Sequence, residues 1–392
     1  MIASLITDYS MDKGYYVTVR GNLGASFISF LLGFTEINPL KAHYICPKCH
    51  WIDPTYGHLA ELEGQARTLS SKPCLSCGER LQSYGADILI EMAWGYPLSK
   101  EPEICLNVAP EIAEGVLELL KERFGEDRII GAGTKLICDD DGTVSYGTHP
   151  GGIFIIPEGV DVDTLTELKP CTREDGITLD YSQRDYHEME KYLKKYDILS
   201  DKRLGLLHQE EIRAHFSSKD IPVDGTWLDG VSSNRIIDFF KKMNNLILPG
   251  REAEFYEGQI ASIIDIVSPK CFNDIVIIEC LMHIDFYPNH IEDRKRLLRD
   301  CNEYGIICRD DLLDKILSVG IDIGEAYKIM LHISRGRGVI PEIEKILQGR
   351  LDTGYIRTLK EIRYLYPRSM TVSYAMISWR LLYYYFILPN ND

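Results

Sequence analysis

Two short cysteine turns constrain this chain more than any other feature in it. Cys46-Pro-Lys-Cys49 and Cys74-Leu-Ser-Cys77 are both C-x2-C, and 24 residues separate them. Each turn aims two thiolates at one point. Two such turns complete a tetrahedral four-sulfur shell of the kind that holds structural zinc. Whatever the rest of the chain does, residues near 46 and near 77 must then meet. A closed shell of Cys46, Cys49, Cys74 and Cys77 leaves no position for a substrate, so it holds the fold rather than doing chemistry. The alternatives are four ordinary buried thiols or a redox pair. His43, His50 and His58 are substitute ligands, less needed once four cysteines are in place.

The chain has 392 residues, 45% of them hydrophobic and 26% charged, which is the make-up of a soluble globular protein of two or three domains. No run of about 18 apolar residues occurs, so no membrane span or membrane partner is expected. The opening MIASLITDYSMDKGYY lacks the basic start and long apolar core of a signal peptide. A cytoplasmic location is expected. Eleven cysteines in such a chain are not a disulfide framework. A net charge of −16 argues against a surface that coats nucleic acid without preference, because that binding rests on Lys and Arg. It leaves room for a local basic groove.

The fold class expected is α+β. YYVTV reads as a strand, followed by a glycine turn and the helix-like ASFISFLLGF. Residues 43–80 look like an inserted knuckle. ADILIEMAW and EICLNV read as strands. APEIAEGVLELLKERFG has helical spacing and stops at Gly125. GGIFIIPEGVDV reads as a buried strand and a turn. From about residue 183 helical spacing dominates, in YHEMEKYLKKY, NRIIDFFKKMNNLIL, EFYEGQIASIIDIV, RDDLLDKILSVG, IGEAYKIMLHISRG and YIRTLKEIRYLYP, with a short strand-like DIL among them. No repeat or low-complexity tract is present. A mixed first half and a helical second half make two domains the natural division.

One short strand carries an ill-matched pair. In Pro102-Glu103-Ile104-Cys105-Leu106-Asn107, residues 103 and 105 leave the same face, because side chains alternate along a strand. Two carboxylates there would suit a hard metal and two thiols a soft one; Glu103 and Cys105 suit neither.

Read in order, several stretches resemble the PolC-type replicative DNA polymerases, the family C group of bacterial polymerase III α subunits. They include VRGNLGASFISFLLGFTEINPLKAHYICPKCHWID, CLSCG, KEPEICLNV, FGEDRIIGAGT, THPGGIFIIP and YLKKYDILSD. In the helical half they are IICRDDLLDKILSVGIDIGEAYKIMLHISRGRG and KEIRYLYPRSMTVSYAMISWRLLYY. The resemblance runs from about residue 17 to 385. It implies a palm of the polymerase-β-like nucleotidyltransferase fold over residues 1–205, with the zinc insertion at 43–80. Helical fingers would follow over 206–350, and the start of a duplex-binding region over 351–392. At this length the chain is not expected to carry the histidinol-phosphatase-like domain, exonuclease, OB domain or clamp-binding tail common in the family.

The resemblance also fixes where the chemistry should sit. The family holds two Mg2+ ions with Asp-x-Asp on one strand and a third Asp on a neighbour. Its P-D-I-D-L-N corresponds to Pro102–Asn107 here. Glu103 keeps a carboxylate, displaced by about 1.5 Å, and misplacement on that scale costs about a hundredfold in rate. Cys105 stands where an aspartate is lost, and a thiol is a poor partner for Mg2+. Asp197 matches the third position, in the family's L-K-L-D-I-L-G; Asp180 is the weaker candidate.

The phosphate-binding turn corresponds to Arg20, Gly21, Gly24 and Ser26, with Asn22 and Ala25 replacing family serines. As a bare pattern it is equally a tight turn between strand and helix. A longer basic segment before THPGG is replaced by KLICDDDGTVSYG. Its Asp139, Asp140 and Asp141 read as a solvated turn, and the glycines of His149-Pro150-Gly151-Gly152 as packing beside the strand. The family's Pro-Lys-Ala-His is Pro367-Arg368-Ser369-Met370. Ser334-Arg335-Gly336-Arg337-Gly338 matches a basic turn that contacts phosphate or merely closes a helix. Trp379, Tyr383, Tyr384, Tyr385 and Phe386 read as core, as do Cys280, Cys301 and Cys308; His283 and His290 read as structural.

The expectation is a PolC-like homologue with catalysis reduced or lost, retaining binding to DNA, a nucleotide or a replication protein. The competing expectations are an active two-metal polymerase using Glu103 and Asp197, and a purely structural zinc protein.

Overall fold

Among the described residues the largest sheet has six strands, and its strand Ile104–Val108 is buried from Cys105 onward. In this computed structural model the described residues are 1–53, 72–137, 144–161, 184–221, 225–247, 251–287 and 293–387. The strands are β1 (Thr18–Val19), β4 (Ile104–Val108), β5 (Ile129–Ile137), β6 (Val144–Ile155), β7 (Arg184–Asp185) and β8 (Lys195–Ser200), and β2 (His43–Ile45) and β3 (Gln82–Tyr84) make a separate hairpin. The order in the large sheet is β1-β4-β8-β6-β5-β7. β4 runs parallel to β8, while β6 is antiparallel to both β8 and β5. The fold class is α+β, as the sequence implies.

The chain divides into two units, each discontinuous in sequence: Met1–Thr18 with Glu103–Gly205, and Val19–Pro102 with Leu206–Asp392. In the first, the helix Pro110–Phe124 starts with Pro at its first turn and buries Ile112, Val116 and Leu120 on one face. It stops at Gly125, whose φ of +100° suits a residue without a Cβ. Phe154, Ile130, Ile156, Met189 and Leu193 form a core beside β5 and β6.

The second unit is mainly helical. Its central element is the helix Arg368–Ile387, buried nearly all round, which marks a core helix. Trp379 and Tyr384 are buried, and Trp379 meets the rings of Trp227 and Phe272 edge-on. Residues from the chain's start anchor to this helix. Val19 N donates to Ser373 Oγ (3.1 Å), Ser369 Oγ donates to the Gly21 carbonyl (2.7 Å), and Arg380 makes a two-pronged pair with Glu36 (2.8 and 3.0 Å). Cys280, Cys301 and Cys308 are buried. His283 is half-buried and donates through Nδ1 to the Glu279 carbonyl.

Four local readings are corrected. ADILIEMAW contains a helix, Ile90–Trp94, with Met92 and Ala93 buried and Gly95 at φ +70° ending it. YHEMEKYLKKY is helical only over Tyr186–Met189, because pairing with β4 and β6 draws residues from Lys195 onward into β8. YYVTV is a strand only at Thr18–Val19. YIRTLKEIRYLYP leaves its helix at Glu361, and Ile362–Tyr364 (β10) pairs with Asp285–Phe286 (β9). His58, Asp139 to Asp141, Asp180 and His290 lie outside the described residues.

Candidate functional site

The two cysteine turns are near copies of each other. Each sits at the tip of a small hairpin, closed by bridges between Ile45 and Ile52 and between Pro73 and Arg80. The residue after the second cysteine takes a left-handed backbone in both: His50 at φ +58° and Gly78 at φ +74°. Each then donates its N–H to the carbonyl of the first cysteine, at 3.0 and 2.9 Å. Further backbone N–H groups point at sulfur, from Cys49 to Cys46 Sγ and from Ser76 to Cys74 Sγ, both 3.4 Å.

The four sulfurs therefore converge. Cys46 and Cys77 are 3.5 Å apart, Cys49 and Cys74 are 3.6 Å apart, and all four lie within 4.8 Å of one another. Burial pushes the Cys46 thiol up, but the backbone donors of Cys49 and Lys48 and neighbouring thiols outweigh it and bring it to about 6. Cys77 stands at about 12: the Glu79 backbone favours its thiolate, but burial and three surrounding sulfurs oppose it more strongly. One thiolate in the cluster makes the next harder to form, and a dication removes that conflict. The donor set fits zinc. His43 is not part of it, since its Nδ1 donates to the Lys41 carbonyl. Lys72 braces the module by pairing with Asp53 and lying 4.3 Å over the Tyr44 ring.

The strand pair is the second site. In the parallel register of β4 and β8, Cys105 is opposite Asp197, so both side chains leave one face of the sheet. Glu103 is exposed and lies one residue before β4. Asn107, two residues beyond Cys105, donates to Thr18 Oγ1 (3.2 Å) and ties β4 to the β1 residue Thr18.

Two residues that the sequence reading did not assign complete this face. Lys195 Nζ donates to both oxygens of Asp197, at 3.1 and 3.0 Å, and to His149 Nε2 at 3.4 Å. It also lies 4.6 Å over the Tyr186 ring. His149 Nδ1 is 3.5 Å from Asp197 Oδ1 and makes no hydrogen bond. Burial first, and Lys195 second, hold the His149 imidazole below its ordinary value, against the pull of Asp197. The i, i+2 spacing of Lys195 and Asp197 was a readable signal; the His149 contact, set by pairing of β6 with β8, was not.

The glycines beside His149 have separate roles. Gly152 is opposite Asp197 on β6, and a Cβ there would meet His149 Nδ1 at 2.6 Å. Gly151 has φ +69°, and a Cβ would collide with the Ile198 carbonyl.

This face does not fit a two-metal centre. Mg2+ wants several hard oxygens in octahedral order. Here a thiol stands opposite Asp197, and both oxygens of that carboxylate are bonded to an ammonium. Among the described residues, only the four cysteines bring three or more ligand atoms of His, Cys, Asp or Glu together.

The glycine turn belongs to the other unit. Gly21 has φ +68° and open space around it. Gly24 is packed: a Cβ would meet Val19, Ile37 and Ser369 at 2.8 to 3.2 Å. Ser26 is buried and caps the helix Phe27–Leu31 by accepting from Ser29 N (3.4 Å). Arg20 is exposed. The turn of Ser334–Gly338 closes the helix Ile323–His332 with left-handed Gly336 and Gly338, and Tyr287 OH donates to the Gly336 carbonyl (3.3 Å).

Comparison with known proteins gives these sites a context. The family described as bacterial DNA polymerase III alpha NTPase domain matches residues 1–140. The chain is 26% identical to "DNA polymerase III PolC-type" of Mycoplasmopsis pulmonis over 430 residues, covering 99% of this chain and 29% of that protein. Proteins of the same description from Staphylococcus saprophyticus and Thermotoga maritima are also 26% identical, over 98% of the chain and 29% and 30% of their own lengths. The chain thus spans about three-tenths of these relatives. The first alignment is longer than the 392-residue chain, so the relative carries residues that are missing here.

Proposed function

We propose, from the premise that this chain is a relative of the PolC-type bacterial DNA polymerase III α subunits, that it is a palm-and-fingers homologue with nucleotidyl transfer reduced or lost. The observation that carries this reading is Cys105 opposite Asp197 across β4 and β8. The two carboxylates that the reaction needs on one strand have become an exposed Glu103 and a buried thiol. Asp197 keeps its place but is already satisfied by Lys195.

What remains is binding. The retained Arg20–Ser26 turn and the basic turn around Arg335 and Arg337 favour contact with DNA or a nucleotide. The net charge of −16 favours a replication protein as partner. No helix among the described residues is long and apolar enough to cross a membrane. Cys46, Cys49, Cys74 and Cys77 hold one structural zinc ion, which fixes the β2–β3 module.

Primer extension tests the catalytic part. The reading requires incorporation at or close to background with Mg2+ or Mn2+. Metal-dependent incorporation that Asp197→Ala abolishes would establish the competing reading, an active polymerase using Glu103 and Asp197. Binding of a primer–template across a salt series tests for a phosphate-contacting groove, which must weaken with salt.

A further inference from the structure

We propose that Lys195 is the cation of the strand site: its ammonium fills the place at Asp197 that a divalent ion would need, and keeps the cluster closed. The proposal rests on the reduced-catalysis reading and deepens it.

An ammonium has three donors and no acceptor. Lys195 has three acceptors in reach, the two Asp197 oxygens and His149 Nε2. Its hydrogen-bonding capacity is complete, and the Tyr186 ring faces the charge from another side. Because Nε2 accepts, a neutral His149 carries its hydrogen on Nδ1, the atom facing Asp197. The side chains of Lys195 and Asp197 are only 12% and 17% exposed, so water screens the pair weakly.

Charge decides between a tethered ammonium and a diffusing dication. With two aspartates on β4, one lysine would leave a negative field to attract a metal. With the thiol of Cys105 in that position, Lys195 and Asp197 cancel. Glu103 is exposed and lies before the strand, and Glu190 is near enough to act on the charge of His149, so neither stands in the place of Cys105 on β4. A metal would have to break a shielded ion pair, leave an ammonium partly buried and gain one carboxylate in return. The sequence change at Cys105 and the ion pair on β8 thus act together.

The test is Mn2+ binding, followed by electron paramagnetic resonance on zinc-loaded protein. Wild type and Asp197→Asn are expected to bind Mn2+ equally weakly. Lys195→Met frees Asp197 and exposes the neighbouring His149, and is expected to gain about tenfold or more in Mn2+ affinity. Lys195→Met combined with Asp197→Asn should lose that gain. Equal binding by wild type and Lys195→Met overturns the proposal, as does a gain that survives the double substitution. If Lys195→Met does not fold, wild type against Asp197→Asn decides alone: no difference supports the proposal, and site-specific binding in wild type overturns it. Primer extension reads the functional claim separately. An inactive wild type whose Lys195→Met form gains no affinity would refute the role of Lys195 and leave the reduced-catalysis reading standing.

Discussion

Cys105 and Asp197 are register partners on adjacent parallel strands, and their side chains share one face of the sheet. A soft thiol and a hard carboxylate are thus fixed side by side where the chain's relatives are expected to gather hard ligands. The placement of these two residues and any activity at them are separate questions, to be tested apart.

The four-cysteine module offers the most direct of the secondary tests, that of the proposed zinc ion. Metal analysis should find one Zn per chain. Strong chelation should lower the melting temperature by roughly 10 °C or more, because binding energy of a structural site is folding energy. Cys74→Ser should give the same loss without chelator. A folded, metal-free protein of unchanged stability contradicts the assignment.

Gly151→Ala should destabilise the protein by roughly 2 kcal/mol, since the position has a positive φ and no room for a Cβ beside the Ile198 carbonyl. Gly21→Ala meets only the conformational cost, having open space, and should lose less. Denaturant titration of both variants checks the order.

Arg368 is buried beside several carboxylates. Its backbone N–H donates to Asp310 Oδ2 (2.7 Å), its guanidinium donates to the Asp87 carbonyl (2.6 Å), and it pairs with Asp311. Arg368→Met should cost about 3–5 kcal/mol, because it leaves buried negative charge without a partner. Adding Asp311→Asn should recover part of the loss; a simple sum of two losses would contradict the pairing.

Asp314, four residues along the helix from Asp310, gives a pH signature. Burial, with Asp310, Asp87 and Asp311 adding to it and Arg368 opposing, raises its pKa from 3.8 to about 6. Between those values the folded state holds a proton that the unfolded state has released. Asp314 therefore makes stability fall as pH rises from about 4 to 6, with the full cost present above 6. Asp314→Asn should stabilise the protein at pH 7.5 by on the order of 1–2 kcal/mol, allowing for partial exposure, and by little at pH 4. A gain independent of pH would contradict this origin.

Features written locally were legible in the sequence. The C-x2-C turns and the helix Pro110–Phe124 with its glycine stop both follow from spacing of a few residues. What depended on pairing was not. Lys195 reads as part of a helical run in YHEMEKYLKKY, yet two neighbouring strands pull it into β8. His149 reaches Asp197 only because β6 lies beside β8 and Gly152 leaves space for its ring. Ile90–Trp94 is five residues long, too short for helical periodicity to stand out from ADILIEMAW.

The central claim is that this strand site no longer supports nucleotidyl transfer. Primer extension on zinc-loaded protein, with Mg2+ and with Mn2+, tests it most directly. Wild type and Asp197→Ala should alike show incorporation at or close to background. Metal-dependent extension by wild type, lost in Asp197→Ala, would contradict it.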